Sequence, residues 1–320
     1  MKKILFMILS IMMLLSMAAF ASAETDTAVV LNYPETLQKL GYTEPVVLDK
    51  MPERVVVMST TPVLALYELG VNMIAIPKTS VVAWPEDLAA NAEQLSVTMN
   101  SNFDIETVVA MEPDLVIMGY TSQETYGVVL EGVEIPVYYV DAGHTVSYES
   151  IKAQTQILID AFAPGSDTGA DLMQRFEALE ARLDTLSSKL EGKTCMVLQS
   201  SPPSHYIQTA DGTLGSMARM IGLTNVYEND ASSMVQIDYE LALDYDPDVV
   251  LAVGMSPTGE EHEALMLADF ENNHDYWYSI EAIAEGDMIC LPITYCSTAG
   301  INVIDNISNL ADLIEAHFAE

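Results

Sequence analysis

The chain has 320 residues, half of them hydrophobic, and a formal charge of −35 at pH 7. Acidity of that size excludes nucleic acid and anionic membrane surfaces as partners, while the apolar half supplies a large core. Three cysteines, Cys195, Cys290 and Cys296, match no zinc spacing.

Residues 1–23 read as an export signal. Lys2 and Lys3 form the basic start, Ile4 to Phe20 is apolar, and Ala21-Ser22-Ala23 is a small-residue cleavage site. Cleavage there makes Glu24 the first mature residue and takes the charge from −35 to −37 with the loss of the two lysines. No cysteine follows the signal to carry a lipid, so the expectation is a soluble, periplasmic or secreted protein. In an exported chain Cys290 and Cys296 either pair or pack as small hydrophobes.

From Glu24 to Phe162 strands alternate with helices. A short strand near Pro45–Leu48 leads to Arg54-Val-Val-Val-Met58, whose continuous apolar run reads as a buried strand. Ser59-Thr60-Thr61-Pro62 caps a helix over Val63–Leu69, ended by Gly70. Met73–Ile76 is the next strand, followed by a polar loop with Lys78 and Trp84 and a short helix near Glu86. Phe103 to Met118 reads as a helix delivered through Pro113-Asp114 into a strand at Leu115–Met118. A helix over Thr121–Glu131, a strand over Ile135–Val140 and a helix over Tyr148–Phe162 complete the segment.

Asp167–Glu191 is a single long helix. Leu172, Phe176, Leu179, Leu183, Leu186 and Leu190 step by four and three along one face. Ser166, Asp167 and Thr168 are candidate N-caps, and Gly192 stands where a glycine ends a helix. After it the pattern restarts. Val55-Val-Val-Met-Ser-Thr-Thr-Pro62 is echoed by Cys195-Met-Val-Leu-Gln-Ser-Ser-Pro202. Glu106-Thr-Val-Val-Ala-Met-Glu-Pro-Asp-Leu-Val-Ile is echoed, in the same order, by Glu240-Leu-Ala-Leu-Asp-Tyr-Asp-Pro-Asp-Val-Val-Leu.

The expected architecture is therefore α/β: two similar lobes, each with a mostly parallel sheet covered by helices, joined by one long rigid helix. The division is 24–166 for the first lobe, 167–191 for the connector and 192–320 for the second lobe. Ligands of open parallel sheets sit outside the C-terminal strand ends, so the cleft between the lobes is the expected site. A helical connector leaves room for a small clamp motion only. The strand-end rule selects Ser59, Thr60, Thr61, Lys78, Trp84, Tyr120, His144, His205, Tyr206, Met234 and Tyr295 as ligand-binding candidates, with Met255 and Ser256 beside them.

Several segments resemble the substrate-binding proteins of ABC importers for metal chelates, the family that handles ferric siderophores, haem and cobalamin. They are Arg54-Val-Val-Val-Met-Ser, Phe103-Asp-Ile-Glu with Glu112-Pro-Asp-Leu-Val-Ile, Asp211-Gly-Thr-Leu-Gly-Ser-Met with Ile221-Gly222, and Tyr276-Trp-Tyr-Ser-Ile-Glu-Ala-Ile-Ala-Glu-Gly-Asp-Met-Ile-Cys-Leu-Pro292. The resemblance covers nearly the whole mature chain. It implies a monomer that delivers a small-molecule metal chelate or tetrapyrrole to a membrane permease with a cytoplasmic ATPase, with no resident cofactor. It also implies one docking glutamate on each lobe, for which the repeated pair Glu106 and Glu240 are the candidates. Either glutamate also simply favours the first turn of its helix.

For the ligand, Trp84 offers a flat face or a loop anchor, and His144, His205, Tyr206 or Tyr295 can reach an iron or line the cleft. A bare metal ion is disfavoured because no histidine precedes His144. The mature chain has only Arg54, Arg175, Arg182 and Arg219, none in an expected cleft loop, which disfavours anionic siderophores that arginine grips in bidentate fashion. An exported enzyme is the rival class, but no Gly-x-Ser-x-Gly elbow, phosphate loop or dinucleotide fingerprint is present. A sensing or scavenging protein of the same fold is the third reading.

Overall fold

The computed structural model describes residues 28–79, 82–96, 105–141, 146–227, 232–237, 246–295 and 300–319. Residues 1–23, which read as an export signal, and His144, Glu240 and Cys296 lie outside the described residues.

In the first lobe a short antiparallel pair, β1 (Val29–Leu31) with β2 (Val46–Leu48), precedes the main sheet. That sheet is built from β3 (Val55–Val57), β4 (Met73–Pro77), β5 (Glu93–Leu95), β6 (Leu115–Gly119) and β7 (Val137–Val140) in the order β5-β4-β3-β6-β7, parallel throughout. Every residue of β3, β6 and β7 is buried. Strands covered on both faces need such unbroken apolar runs. The chain enters at β3, moves outward through β4 and β5, and returns beside β3 as β6. Strand order thus reverses between β3 and β6, which opens a crevice at their C-terminal ends.

The second lobe holds β8 (Thr194–Ser201), β9 (Ser204–Gln208), β10 (Thr224–Asn225), β11 (Met234–Gln236), β12 (Val249–Gly254) and β13 (Met288–Leu291). β12 runs parallel to both β8 and β13, and β10 runs parallel to β8. β9 folds back antiparallel on β8, and β11 pairs antiparallel with β9, so this sheet is mixed. Its order again reverses between two parallel neighbours, here β8 and β12. The folded-back strand replaces a stretch that reads as a cleft loop in the sequence. Ser201 and Ser204 close a tight hairpin around Pro202-Pro203, and the strand β8 runs three residues beyond Leu198.

The repeat holds at the level of single residues. Val55 pairs with Leu115 in the first lobe, and their counterparts Cys195 and Val249 pair in the second. The repeated Pro-Asp has one job in both lobes. Asp114 accepts hydrogen bonds from the backbone N–H of Glu53 (2.7 Å) and Arg54 (2.9 Å). Asp248 accepts from the backbone N–H of Thr194 (2.7 Å), from its hydroxyl (2.9 Å) and from Lys193 Nζ (3.2 Å). Each carboxylate thereby satisfies the open N–H groups where the central strand of its sheet, β3 or β8, begins. Partial burial pushes the Asp248 carboxyl up, but these hydrogen bonds outweigh it and hold the group below its ordinary value.

The connector helix spans Asp167–Lys189, 23 residues or roughly 35 Å. Ser166 caps it by accepting from Gly169 N–H at 3.0 Å, and Gly192 turns the chain away in the left-handed region at φ 84°. Its buried stripe is Leu172, Phe176, Leu179, Leu183 and Leu186, continued by Leu190. A second helix, Asn302–His317, runs along it. Arg182 donates to Ser308 O (3.1 Å) and Oγ (2.8 Å) and pairs with Asp312, while Lys189 pairs with Glu315 at 2.8 Å. The C-terminal helix is thus fastened to the connector, and one apolar core runs through both lobes: it joins β3 and β6 to the connector, to Cys195, Val197 and Leu251, and to Ile304, Ile307 and Leu310. A separate cluster around Phe270 and Trp277 covers the other face of the second sheet.

Candidate functional site

The two strand-order reversals place two sets of loops at the C-terminal strand ends. From the first lobe come Ser59 and Thr60, half-buried after β3, and half-exposed Tyr120 after β6. From the second come Ser200 at the end of β8 and Met255 and Ser256 after β12. Met255 is exposed, whereas Ser200 and Ser256 are buried. Beside these sets the two lobes touch. Gly300, which follows the turn Ile293–Tyr295, lies so close to Thr61 that a Cβ there would stand 1.8 Å from the Thr61 carbonyl oxygen. Its φ of 62° also favours glycine. No sequence signal marked Gly300, because the demand comes from a residue 239 positions away in the chain.

Lys78 is exposed at the end of β4, where its backbone N–H donates to Leu95 O at 2.7 Å. Trp84 donates from Nε1 to Pro77 O at 2.8 Å and is half-buried. The indole therefore anchors its loop to β4, and only the uncovered part of its face remains for a ligand. Thr61 and Tyr295 are buried, and burial pushes the Tyr295 hydroxyl up to about 12.

His205 points the other way. It is 2% exposed, its Nδ1 shares a hydrogen bond with Ser200 Oγ at 2.8 Å, and its Nε2 bonds Asp269 Oδ2 at 2.8 Å. Its ring stands edge-on to Trp277 at 4.8 Å between centroids. Both ring nitrogens are engaged inside the lobe, so this side chain offers nothing to a ligand. The reason is the hairpin: side chains alternate along β9, and the register Ser200↔His205 sends His205 to the helix-covered face and leaves Tyr206 half-buried on the opposite one. Met234 also changes place. It opens β11 opposite Gln208, well down the sheet, and Gln236 is the end nearer the cleft. His144 lies outside the described residues, as does Glu240 of the docking pair. Glu106 is exposed in the first turn of the helix Ile105–Ala110.

All four arginines are committed elsewhere. Arg54 donates to Met111 O and Glu112 O at the N-terminal end of the first sheet. Arg175 pairs with Glu68, Arg182 with the C-terminal helix, and Arg219 lies 3.8 Å from Asp211. Among the described residues Lys78 is the basic side chain at the strand C-termini. Cys290 carries a free thiol, and Cys296 lies outside the described residues. Cavities of about 570 Å³ (beside Arg54 and Asn72) and about 280 Å³ (beside Asp246 and Asp248) lie at the opposite, N-terminal ends of the strands.

A family model described as periplasmic binding protein matches residues 55–294, from the first residue of β3 to the turn after β13. The chain belongs to the periplasmic binding protein family. Members of this family are substrate-binding proteins, and the two-lobe frame of this one is shared by solved structures. One is the petrobactin-binding protein YclQ of Bacillus subtilis, with a TM-score of 0.68 at 20% identity over 89% of this chain and 98% of that one. Another is IsdE of S. aureus complexed with heme, with a TM-score of 0.65 at 18% identity over 81% of this chain and 98% of that one. A cobalamin-binding protein of Halobacterium salinarum is 26% identical over 217 residues, which is 64% of this chain and 55% of that protein. The chain thus spans about half the length of the curated relatives it matches. No helix among the described residues of this periplasmic binding protein is long and apolar enough to cross a membrane.

Proposed function

We propose that this protein captures a neutral or cationic metal chelate, haem or corrinoid in the cleft between its lobes and delivers it to an ABC permease. The observation that carries the reading is the commitment of every mature arginine away from the strand C-termini. A strongly anionic chelate would leave its carboxylates or catecholates without the bidentate partner they need, inside a protein whose overall field repels them. The haem-bound and siderophore-binding relatives and the cobalamin-binding relative support the chemical class. Ser59, Thr60, Lys78, Trp84 and Tyr120 are the contacts on the first lobe. Tyr206 and Met255 are those on the second. Glu106 and Glu240 dock the permease, one on each lobe.

The test is calorimetric titration of the protein from Glu24 onward with haemin, a corrinoid, and ferric siderophores of negative, zero and positive charge. Tight one-to-one binding of haemin, the corrinoid or an uncharged or cationic chelate is the expected result. Preference for an anionic siderophore, or no binding by a folded sample, overturns the reading. Loss of uptake of the bound compound on deleting the gene separates transport from sensing, and turnover of the compound would point to an enzyme.

A further inference from the structure

Beneath the cleft-facing loops of the second lobe lies a cluster of buried polar groups that ligand capture does not use. Its members are Ser200 at the end of β8, His205 on β9, and His262 and Asp269 on the helix Gly259–Phe270. Ser200, His205 and His262 are each 1–2% exposed. His262 and Asp269 stand seven residues apart, two helical turns, and so present the same face to the sheet. Asp269 is spent on His205 at 2.8 Å, and Ser200 takes the other nitrogen of that ring. His262 has one hydrogen bond to the Val253 backbone, and its Nε2 has no hydrogen-bond partner among the described residues. The ring packs on Gly254 so closely that a Cβ there would lie 2.1 Å from Cε1.

We propose that His262 is an acid-sensitive latch: protonation of its imidazole lifts the helix Gly259–Phe270 from the second sheet and, with it, the Met255–Thr258 loop that borders the cleft.

The neighbours of His262 explain the direction. From β9 it faces His205, a potential like charge. From β8 and β12 it meets Ser200 and backbone, which bring no compensating charge. β13 meets the same helix at Cys290, whose carbonyl backs Gly259 and whose thiol burial pushes up to about 12, so it stays neutral. On its own helix Glu260, Glu261 and Glu263 are exposed to solvent, and Asp269 is held by His205. A proton on His262 is thus disfavoured first by burial and then by His205, which together hold its pKa below the ordinary 6.5. The opened state is free to take the proton. Closure is therefore fully favoured above about pH 6.5 and is progressively lost below it. Because the helix holds the sheet with His262, Met266 and Phe270, and its first turn is capped by Thr258, release of His262 frees the end nearest the cleft first. One proton taken up by the open form at pH 5 shifts the opening equilibrium by at most about thirtyfold.

The test is hydrogen exchange on the full mature protein between pH 7.5 and 5.0, corrected for intrinsic rates, in wild type, H262Q and H262F. The phenyl ring replaces the imidazole at nearly the same shape, and the amide keeps a donor. In wild type, opening of Gly259–Phe270 should rise by ten- to thirtyfold toward pH 5 while Asn302–His317 changes less than threefold. In either variant the first helix should change less than threefold. A flat wild-type profile, equal loosening of both helices, a rise far beyond thirtyfold, or an unaltered rise in a folded variant each overturns the proposal. The assay needs no ligand, so its result stands apart from the reading of ligand class.

Discussion

Removing the Asp248 carboxylate tests whether the repeated Pro-Asp is what aligns the strands of each lobe. The side chain accepts three hydrogen bonds, two from Thr194 and one from Lys193. A hydrogen bond to a charged acceptor contributes about 1.5–3 kcal/mol when shielded. Asp248 keeps 34% of its side-chain surface, and the Lys193 pair is similarly open. Its ion pair is therefore worth at most about 1 kcal/mol, and the two Thr194 bonds dominate. D248A should lose about 2–3 kcal/mol at pH 7, read from urea unfolding followed by circular dichroism, with the midpoint moved and the slope unchanged. The pH dependence has a fixed sign. The folded carboxyl lies below its ordinary 3.8, so its contribution is fully present above that pH and is lost as pH falls through the folded value. The gap between wild type and D248A should therefore hold from pH 7 to about 5 and close in strong acid. A gap under about 0.5 kcal/mol at pH 7, or one undiminished at the lowest pH where both proteins fold, would refute the reasoning. D114A should show a loss of similar size, because Asp114 serves the matching strand start. The double variant should lose the sum, since the two staples share no partner.

Gly300→Ala sets a Cβ against Thr61 O in a backbone conformation that favours glycine; an urea-midpoint loss of at least about 2 kcal/mol is expected, and an unchanged midpoint would mean the lobes do not meet there. Phe176→Ala empties a fully buried place in the connector and should cost about 3–5 kcal/mol by the same assay. Trp84→Ala removes the bond to Pro77 O; it should cost about 1 kcal/mol of stability and weaken ligand binding by calorimetry, whereas an affinity equal to wild type would confine Trp84 to anchoring. Lys78→Ala should alter affinity for an uncharged or cationic ligand less than about threefold, since an exposed, screened charge carries under 1 kcal/mol; a hundredfold loss would point to an anionic ligand.

The two-lobe plan was legible because its signals are local or periodic. The connector announced itself by a stripe of leucines and Phe176, and the lobes by two segments that repeat in order. Those segments pair in the same register in both sheets, because a repeated sequence meets the same strand-start geometry twice. The clustering of loop residues Ser59, Thr60 and Tyr120 followed from strand direction alone. The second lobe's edge was not legible. Whether Ser201–Ser204 is a loop or a hairpin depends on β8 finding β9, and a change of one residue in that register would exchange the faces of His205 and Tyr206. Met234 misled for a related reason: the chain between Ile221 and Val249 does not reveal which end of a short edge strand reaches the cleft. Sequence alone determined the class, the repeat and the scarcity of arginine, four in the whole chain. Only the tertiary structure decided which polar side chains face the cleft and which, like His205 and His262, are buried behind it, because facing is set by pairing partners distant in the chain.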